Sequence, residues 1–199
     1  HIRMAATANH PRGWNSNLSH QRKLKSYQVE TAWYCHWSQH CGPKTRIPKL
    51  LGFDRHNGET LLILEDLGAS GFPSRLTPNA TPTDAIRACI DWLANFHASF
   101  MGVEPTHLWK TGTYWHLATR SEELASLGDN ELKKAAPTLD QILTSAAHQT
   151  LVHGDAKLAN FCFSKSGNDV AAVDFQYVGG GCGMKDLAYF VGSCFRDEE

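Results

Sequence analysis

The stretch Leu151–Gln176, LVHGDAKLANFCFSKSGNDVAAVDFQ, constrains the chain more than any other. It reads as a short apolar strand at Leu151 and Val152, then a polar turn, then a hairpin. The hairpin runs from Phe161 to Phe163, through the turn Lys165-Ser166-Gly167-Asn168, and back from Val170 to Val173. His153, Gly154, Asp155, Lys157 and Asn160 fall in the polar turn and Asp174 closes the hairpin, so proton- and metal-handling side chains gather at one end of a small sheet.

These residue types at this spacing suit phosphoryl transfer. That reaction needs a carboxylate to hold an acceptor hydroxyl in line, and hard oxygen ligands for a Mg²⁺ ion that keeps several of its waters. An Asp, an Asn five residues on and a second Asp at the end of the next hairpin supply those oxygens. An Asx turn would account for Asp155 and Asn160 taken alone.

His-Gly-Asp-x-x-x-x-Asn followed by Val-Asp-Phe-Gln resembles the small-molecule kinases of protein-kinase-like fold. These are the aminoglycoside phosphotransferases, the choline kinases and above all the ecdysteroid-kinase-like (CHK kinase-like) family. The resemblance implies an α+β, bilobal protein-kinase-like fold. Residues 1–66 would form a partial N-terminal lobe lacking its Gly-rich loop, and residues 67–199 a partial C-terminal lobe with the catalytic loop. It implies ATP and Mg²⁺ as cofactors and a small-molecule alcohol as acceptor. Asp155 would be the base, Asn160 and Asp174 the Mg²⁺ ligands, and His153 a brace of the loop. Lys157 would meet the γ-phosphate, or else simply face solvent. Asp186 would support the catalytic loop from the next helix.

The same resemblance assigns the backbone of Glu65, Asp66 and Leu67 to a hinge that hydrogen-bonds the adenine, with the Glu65 and Asp66 side chains as strand-end solubilisers. It pairs Glu30 with a phosphate-gripping lysine expected just before His1, for which Arg3 or Arg12 could substitute. Glu30 lies on the helix that begins near Ser19, where Lys23, Tyr27, Glu30, Tyr34 and Trp37 recur at three- and four-residue steps. An acid in such an aromatic stripe needs a cation if it is buried; at the stripe's edge it needs none.

Composition narrows the remaining classes. A net charge of −1 with one short basic cluster (Arg22, Lys23, Lys25) gives no footprint for nucleic acid. Six scattered cysteines suit a reduced, cytoplasmic protein. No run of eighteen apolar residues offers a membrane span. The Cys35-His36-x-x-x-His40-Cys41 run has a spacing that can bind zinc. The chain begins at His1 and ends at Glu199 in a way that suggests segments missing at both ends, where any targeting signal would lie.

Elsewhere Ile47 to Phe53 and Glu59 to Glu65 read as two strands, the second apolar enough to be central. Thr81-Pro82-Thr83-Asp84 opens a helix with Thr81 as cap, whose stripe Ile86, Cys89, Ile90, Leu93, Phe96, His97, Phe100 should be buried, His97 as a structural core residue. Thr111 to Leu127 and Asn130 to Ala147 read as further helices, the second interrupted by Pro137. Gly179 to Gly183 reads as a flexible connection before the helix DLAYFVGSC at Asp186. The competing function is a catalytically inactive kinase-like binding module. A protein kinase is disfavoured by Asp-Phe-Gln and the short glycine segment. The acceptor is open among sterols, choline-like bases, aminoglycosides and sugar alcohols, with highly cationic molecules disfavoured because no acidic cluster appears.

Overall fold

The computed structural model describes residues 17–195, apart from 58, 79, 115 and 118–120. Mixed helices and small antiparallel sheets make an α+β fold. Helix α1 (Asn17–Ala32) continues through a π-helical turn (Trp33–Trp37) and a 3₁₀ turn (Ser38–His40). The hairpin β1 (Leu50–His56) and β2 (Glu59–Leu64) follows, then helix α2 (Thr83–Ser99), the short α3 (Ser121–Ser126) and α4 (Asn130–Thr144). The chain closes with β3 (Thr150–Val152), β4 (Phe161–Phe163), β5 (Val170–Ala172), β6 (Gly179–Gly181) and helix α5 (Met184–Cys194).

One aromatic core joins α1 and α2 to the Leu151–Gln176 stretch. Trp33 stacks flat on Phe175, with centroids 4.6 Å apart and planes 12° from parallel, and meets Phe96 and Phe100 of the α2 segment at 5.7 Å. Trp92 and Phe96 stack on each other, and Trp92 meets Phe161 edge-on. All of these rings are buried, each worth about 2–3 kcal/mol of apolar burial. The buried positions of α2 are Ala85, Cys89, Trp92, Leu93 and Phe96, while Ile86, Ile90 and His97 of the expected stripe are only half-buried.

Several expectations are corrected. The buried face of α1 is Ser26, Val29 and Trp33; Lys23 is exposed and Tyr27 and Glu30 are half-buried at its edge. The π-helical turn adds a residue to the winding at Trp33, so Tyr34 rejoins the core while the stripe drawn from the sequence does not. Strand β2 pairs only with β1 among the described residues and leaves Ile63 49% exposed, so it is not a central strand there. Thr81 does not cap α2: its Oγ1 donates to Thr77 O, and Pro82 precedes the first helical residue. Pro137 sits inside α4 without ending it, on a helix with no buried residue, where water can serve the carbonyl that proline leaves unbonded.

The glycine run is a strand. Gly179–Gly181 pairs antiparallel with β3, Thr150 opposite Gly181 and Val152 opposite Gly179. Its glycines are required by close approach rather than by flexibility, since a Cβ on Gly179 would fall 2.1 Å from Trp109 O.

Candidate active site

The strand β3 delivers His153, Gly154 and Asp155 into a turn whose backbone is held by Asp186. The Asp186 carboxylate, 1% exposed near the start of α5, accepts His153 N–H at 2.7 Å and Gly154 N–H at 2.9 Å. His97 Nε2 lies 2.9 Å from the same carboxylate, so the lone histidine of α2 is satisfied by a buried acid 89 residues away. His153 Nε2 donates to Val173 O at 3.0 Å and its Nδ1 accepts Asp155 N–H at 3.3 Å, so the ring ties the turn to the strand end that carries Asp174. Gly154 has φ +81°, and a Cβ there would sit 2.1 Å from Tyr177 O, which leaves glycine as the residue that fits between His153 and Asp155.

Asp155 is 3% exposed, and its two oxygens are in different situations. Oδ2 accepts Lys157 Nζ at 2.6 Å and Asn160 Nδ2 at 3.0 Å, while Oδ1 is buried with no hydrogen-bond partner. Asn160 Nδ2 also donates to Asp155 O at 2.8 Å, so the amide nitrogen is committed to Asp155 and the amide oxygen is the end left for a ligand. Asn160 O accepts Val173 N–H at 2.9 Å, and the next residue is Asp174. Asp174 is held at φ +68°, a left-handed conformation that costs a non-glycine residue of order 1 kcal/mol, and its Oδ1 is likewise buried and unpartnered. The buried ring of Phe175, stacked on Trp33, anchors the residue that follows.

Buried carboxylate oxygens without partners are costly unless something binds them. Asp174 Oδ1 and the uncommitted amide oxygen of Asn160 are hard donors of the kind Mg²⁺ takes, so these residues fit a divalent cation. Among the described residues no group of three or more His, Cys, Asp or Glu side chains gathers, so Cys35, His36, His40 and Cys41 form no zinc cluster.

The family model of the phosphotransferase enzyme family (APH) matches residues 18–199. The chain belongs to that family. No curated protein matches it significantly. Membership suggests ATP-dependent phosphotransferase activity of the kinase type. Among the described residues no helix is long and apolar enough to cross a membrane.

Glu65, Asp66 and Leu67 differ from one another in their partners. Glu65 is no mere solubiliser: its Oε1 accepts Arg46 Nη2 at 2.6 Å and its Oε2 accepts Lys49 N–H at 3.0 Å. The Arg46 guanidinium holds the Glu65 carboxyl down to about 2, well below the usual carboxylate range. Asp66 Oδ1 accepts the N–H groups of Gly68 and Ala69, making an Asx turn. Leu67 is buried against Cys162 and Ala171 of the β4–β5 hairpin, and its carbonyl accepts Ser70 and Phe72 N–H. Arg46 escaped the sequence reading because its partner lies nineteen residues on, though a lone arginine before a strand that ends in Glu is a signal that could have been read.

Glu30 lies toward Asp174, with Lys23 of its own helix nearby. The Gln176 side chain and the Phe175 backbone are neighbours that favour its ionised form. Burial, and after it the Asp174 charge, push its carboxyl up to about 7, with Lys23 offsetting part of the rise. Arg3, Arg12 and the strand expected at His1 to Ala5 lie outside the described residues. Two clefts of about 680 and 760 Å³ open elsewhere, one beside Tyr34, Cys41 and Lys49, the other beside Phe72, Asp91 and Asp169; neither includes Asp155, Asn160 or Asp174.

Proposed function

We propose that this phosphotransferase is a Mg²⁺-dependent small-molecule kinase of the ecdysteroid-kinase-like group, passing the γ-phosphate of ATP to an alcohol. The His-Gly-Asp and Asp-Phe-Gln wording supports the subgroup, and six free cysteines support a reduced, cytoplasmic setting. In this reading residues 1–66 belong to the smaller lobe and 67–199 to the larger. The backbone at Glu65 to Leu67 faces the adenine, and Glu30 serves the phosphates.

The single observation that carries the reading is the division of labour between the two oxygens of Asp155. Oδ2 is fixed by Lys157 and Asn160, which aims the carboxylate. Oδ1, buried and unpartnered, is the acceptor for the alcohol's proton. The alcohol oxygen forms its bond to the γ-phosphorus as the bridge to the β-phosphate breaks, the proton passes to Oδ1, and ADP leaves. When bound, Mg²⁺ supplies positive charge against the phosphate oxygens, and Asn160 and Asp174 are the residues to hold it. Lys157, 39% exposed and anchored on Asp155, can swing its ammonium to the transferring phosphate.

The test is transfer of labelled phosphate from ATP to a panel of small alcohols. Asp155→Asn should lower kcat by about 10²–10⁴-fold with nucleotide affinity nearly unchanged. Lys157→Met should cut turnover with affinity kept. Nucleotide binding without transfer to any alcohol would favour an inactive binding module, and equal rates in wild type and Asp155→Asn would remove Asp155 from the chemistry.

A further inference from the structure

The residue after Phe175 is a glutamine whose backbone carbonyl and side-chain oxygen are both engaged. Gln176 O accepts Trp109 Nε1–H at 2.8 Å, which pins its backbone. Its side-chain Oε1 accepts Lys23 Nζ at 3.2 Å and the hydroxyl of fully buried Ser26 at 3.4 Å, both on α1. The Glu30 carboxyl, two turns from Lys23 on that helix, lies close enough to the same side chain for its ionised form to be favoured by it. An amide is suited to this because its oxygen accepts while its nitrogen donates. A carboxylate at this position would accept only, and would face the Glu30 and Asp174 acids. A glycine would leave Lys23 and Glu30 without this partner, while the Ser26 hydroxyl would keep its 2.8 Å bond to Lys23 O. Across this seam the Phe175 ring also stacks on Trp33 and meets Tyr34 edge-on at 6.1 Å, ring contacts that fix the spacing of α1 from the loop.

From this we infer that Gln176 is a positioning residue: its side-chain amide clamps α1 to the Asp174 loop and so fixes Glu30 and Asp174 in the relation that Mg–nucleotide binding requires. The inference rests on the proposed function. It concerns binding of the metal–nucleotide, not proton transfer at Asp155, so its signature is a change in KM rather than kcat.

The experiment compares wild type, Gln176→Ala and Gln176→Glu by steady-state kinetics against Mg–ATP and by hydrogen exchange of residues 17–32 in the nucleotide-free chain. Gln176→Ala should raise KM for Mg–ATP about tenfold, the size of a lost hydrogen bond to a charged group, with kcat within about threefold. It should also speed exchange in α1. Gln176→Glu should be worse than Gln176→Ala, since it sets a third carboxylate beside two others. If Gln176→Ala does not fold, Lys23→Ala carries the test, with a smaller rise in KM. Wild-type KM and exchange in Gln176→Ala, or a Gln176→Glu variant equal to wild type, would overturn the clamp while leaving the phosphotransferase standing. A wild type that transfers no phosphate would overturn the proposed function and the clamp with it.

Discussion

Two glutamates flank the site in opposite circumstances. Glu65 has an arginine 2.6 Å away and a backbone donor on its other oxygen, and its carboxyl is held down to about 2. Glu30 faces Asp174, and burial, with that charge after it, pushes its carboxyl up to about 7. From the sequence, Glu30 needs a cation if buried and none at the stripe's edge, and Glu65 is a hinge position with a solubilising side chain. Among the described residues, the cation pairs with Glu65. A carboxylate's environment is set by which charge the fold brings to it across the chain, and one half of this molecule is closed while the other is left primed for positive charge.

The contrast makes the sharpest prediction at Glu30. A carboxyl raised in the folded state favours folding below its unfolded value near 4.5, and that contribution is lost as pH rises to about 7. Glu30→Gln removes the ionisation cost, so it should stabilise the metal-free chain by about 3 kcal/mol at pH 8 and by nothing measurable at pH 4. Urea unfolding at the two pH values checks this, and a loss of stability at pH 8 would mean that a cation holds Glu30 after all.

A smaller effect separates the two causes of the shift. Asp174→Asn takes away the neighbouring charge but not the burial, so the Glu30 titration followed by NMR should move down yet stay above 4.5. A fall all the way to 4.5 would show that the charge, not burial, dominates.

The smallest effect belongs to the closed half. Arg46→Ala should cost about 1 kcal/mol at pH 7, since the pair is partly exposed at 20% and 16% and solvent screens it. Glu65 is depressed, so its contribution is present above pH 4.5 and fades as pH falls toward 2. Chemical denaturation at pH 7 and pH 3 should show the wild-type advantage shrinking; an advantage that grows in acid would contradict the pairing.

What the sequence made legible was local. The hairpin from Phe161 to Ala172 with its turn, and the helix carrying Asp186, follow from alternation and turn residues within a dozen positions. What it hid was distant or tertiary. Gly179 to Gly181 look like a linker until β3 is placed beside them with Trp109 against Gly179, a contact seventy residues apart in sequence. The buried face of α1 could not be read past Trp33 because a π-helical turn shifts the period. The cluster Asp155, Asn160, His153 and Asp186 was anticipated as a set, but the orphaned oxygen on Asp155, the clamp at Gln176 and the Arg46–Glu65 pair depend on side-chain partners that no spacing rule encodes.

Calorimetric titration of ATP, with and without Mg²⁺, into the wild-type chain and Asp174→Ala tests the central claim most directly. Binding that strengthens with Mg²⁺ in the wild type and loses that dependence in Asp174→Ala is the result expected of a metal-assisted phosphotransferase site. Binding indifferent to Mg²⁺, or an Asp174→Ala variant that binds Mg–ATP as well as wild type, would contradict it.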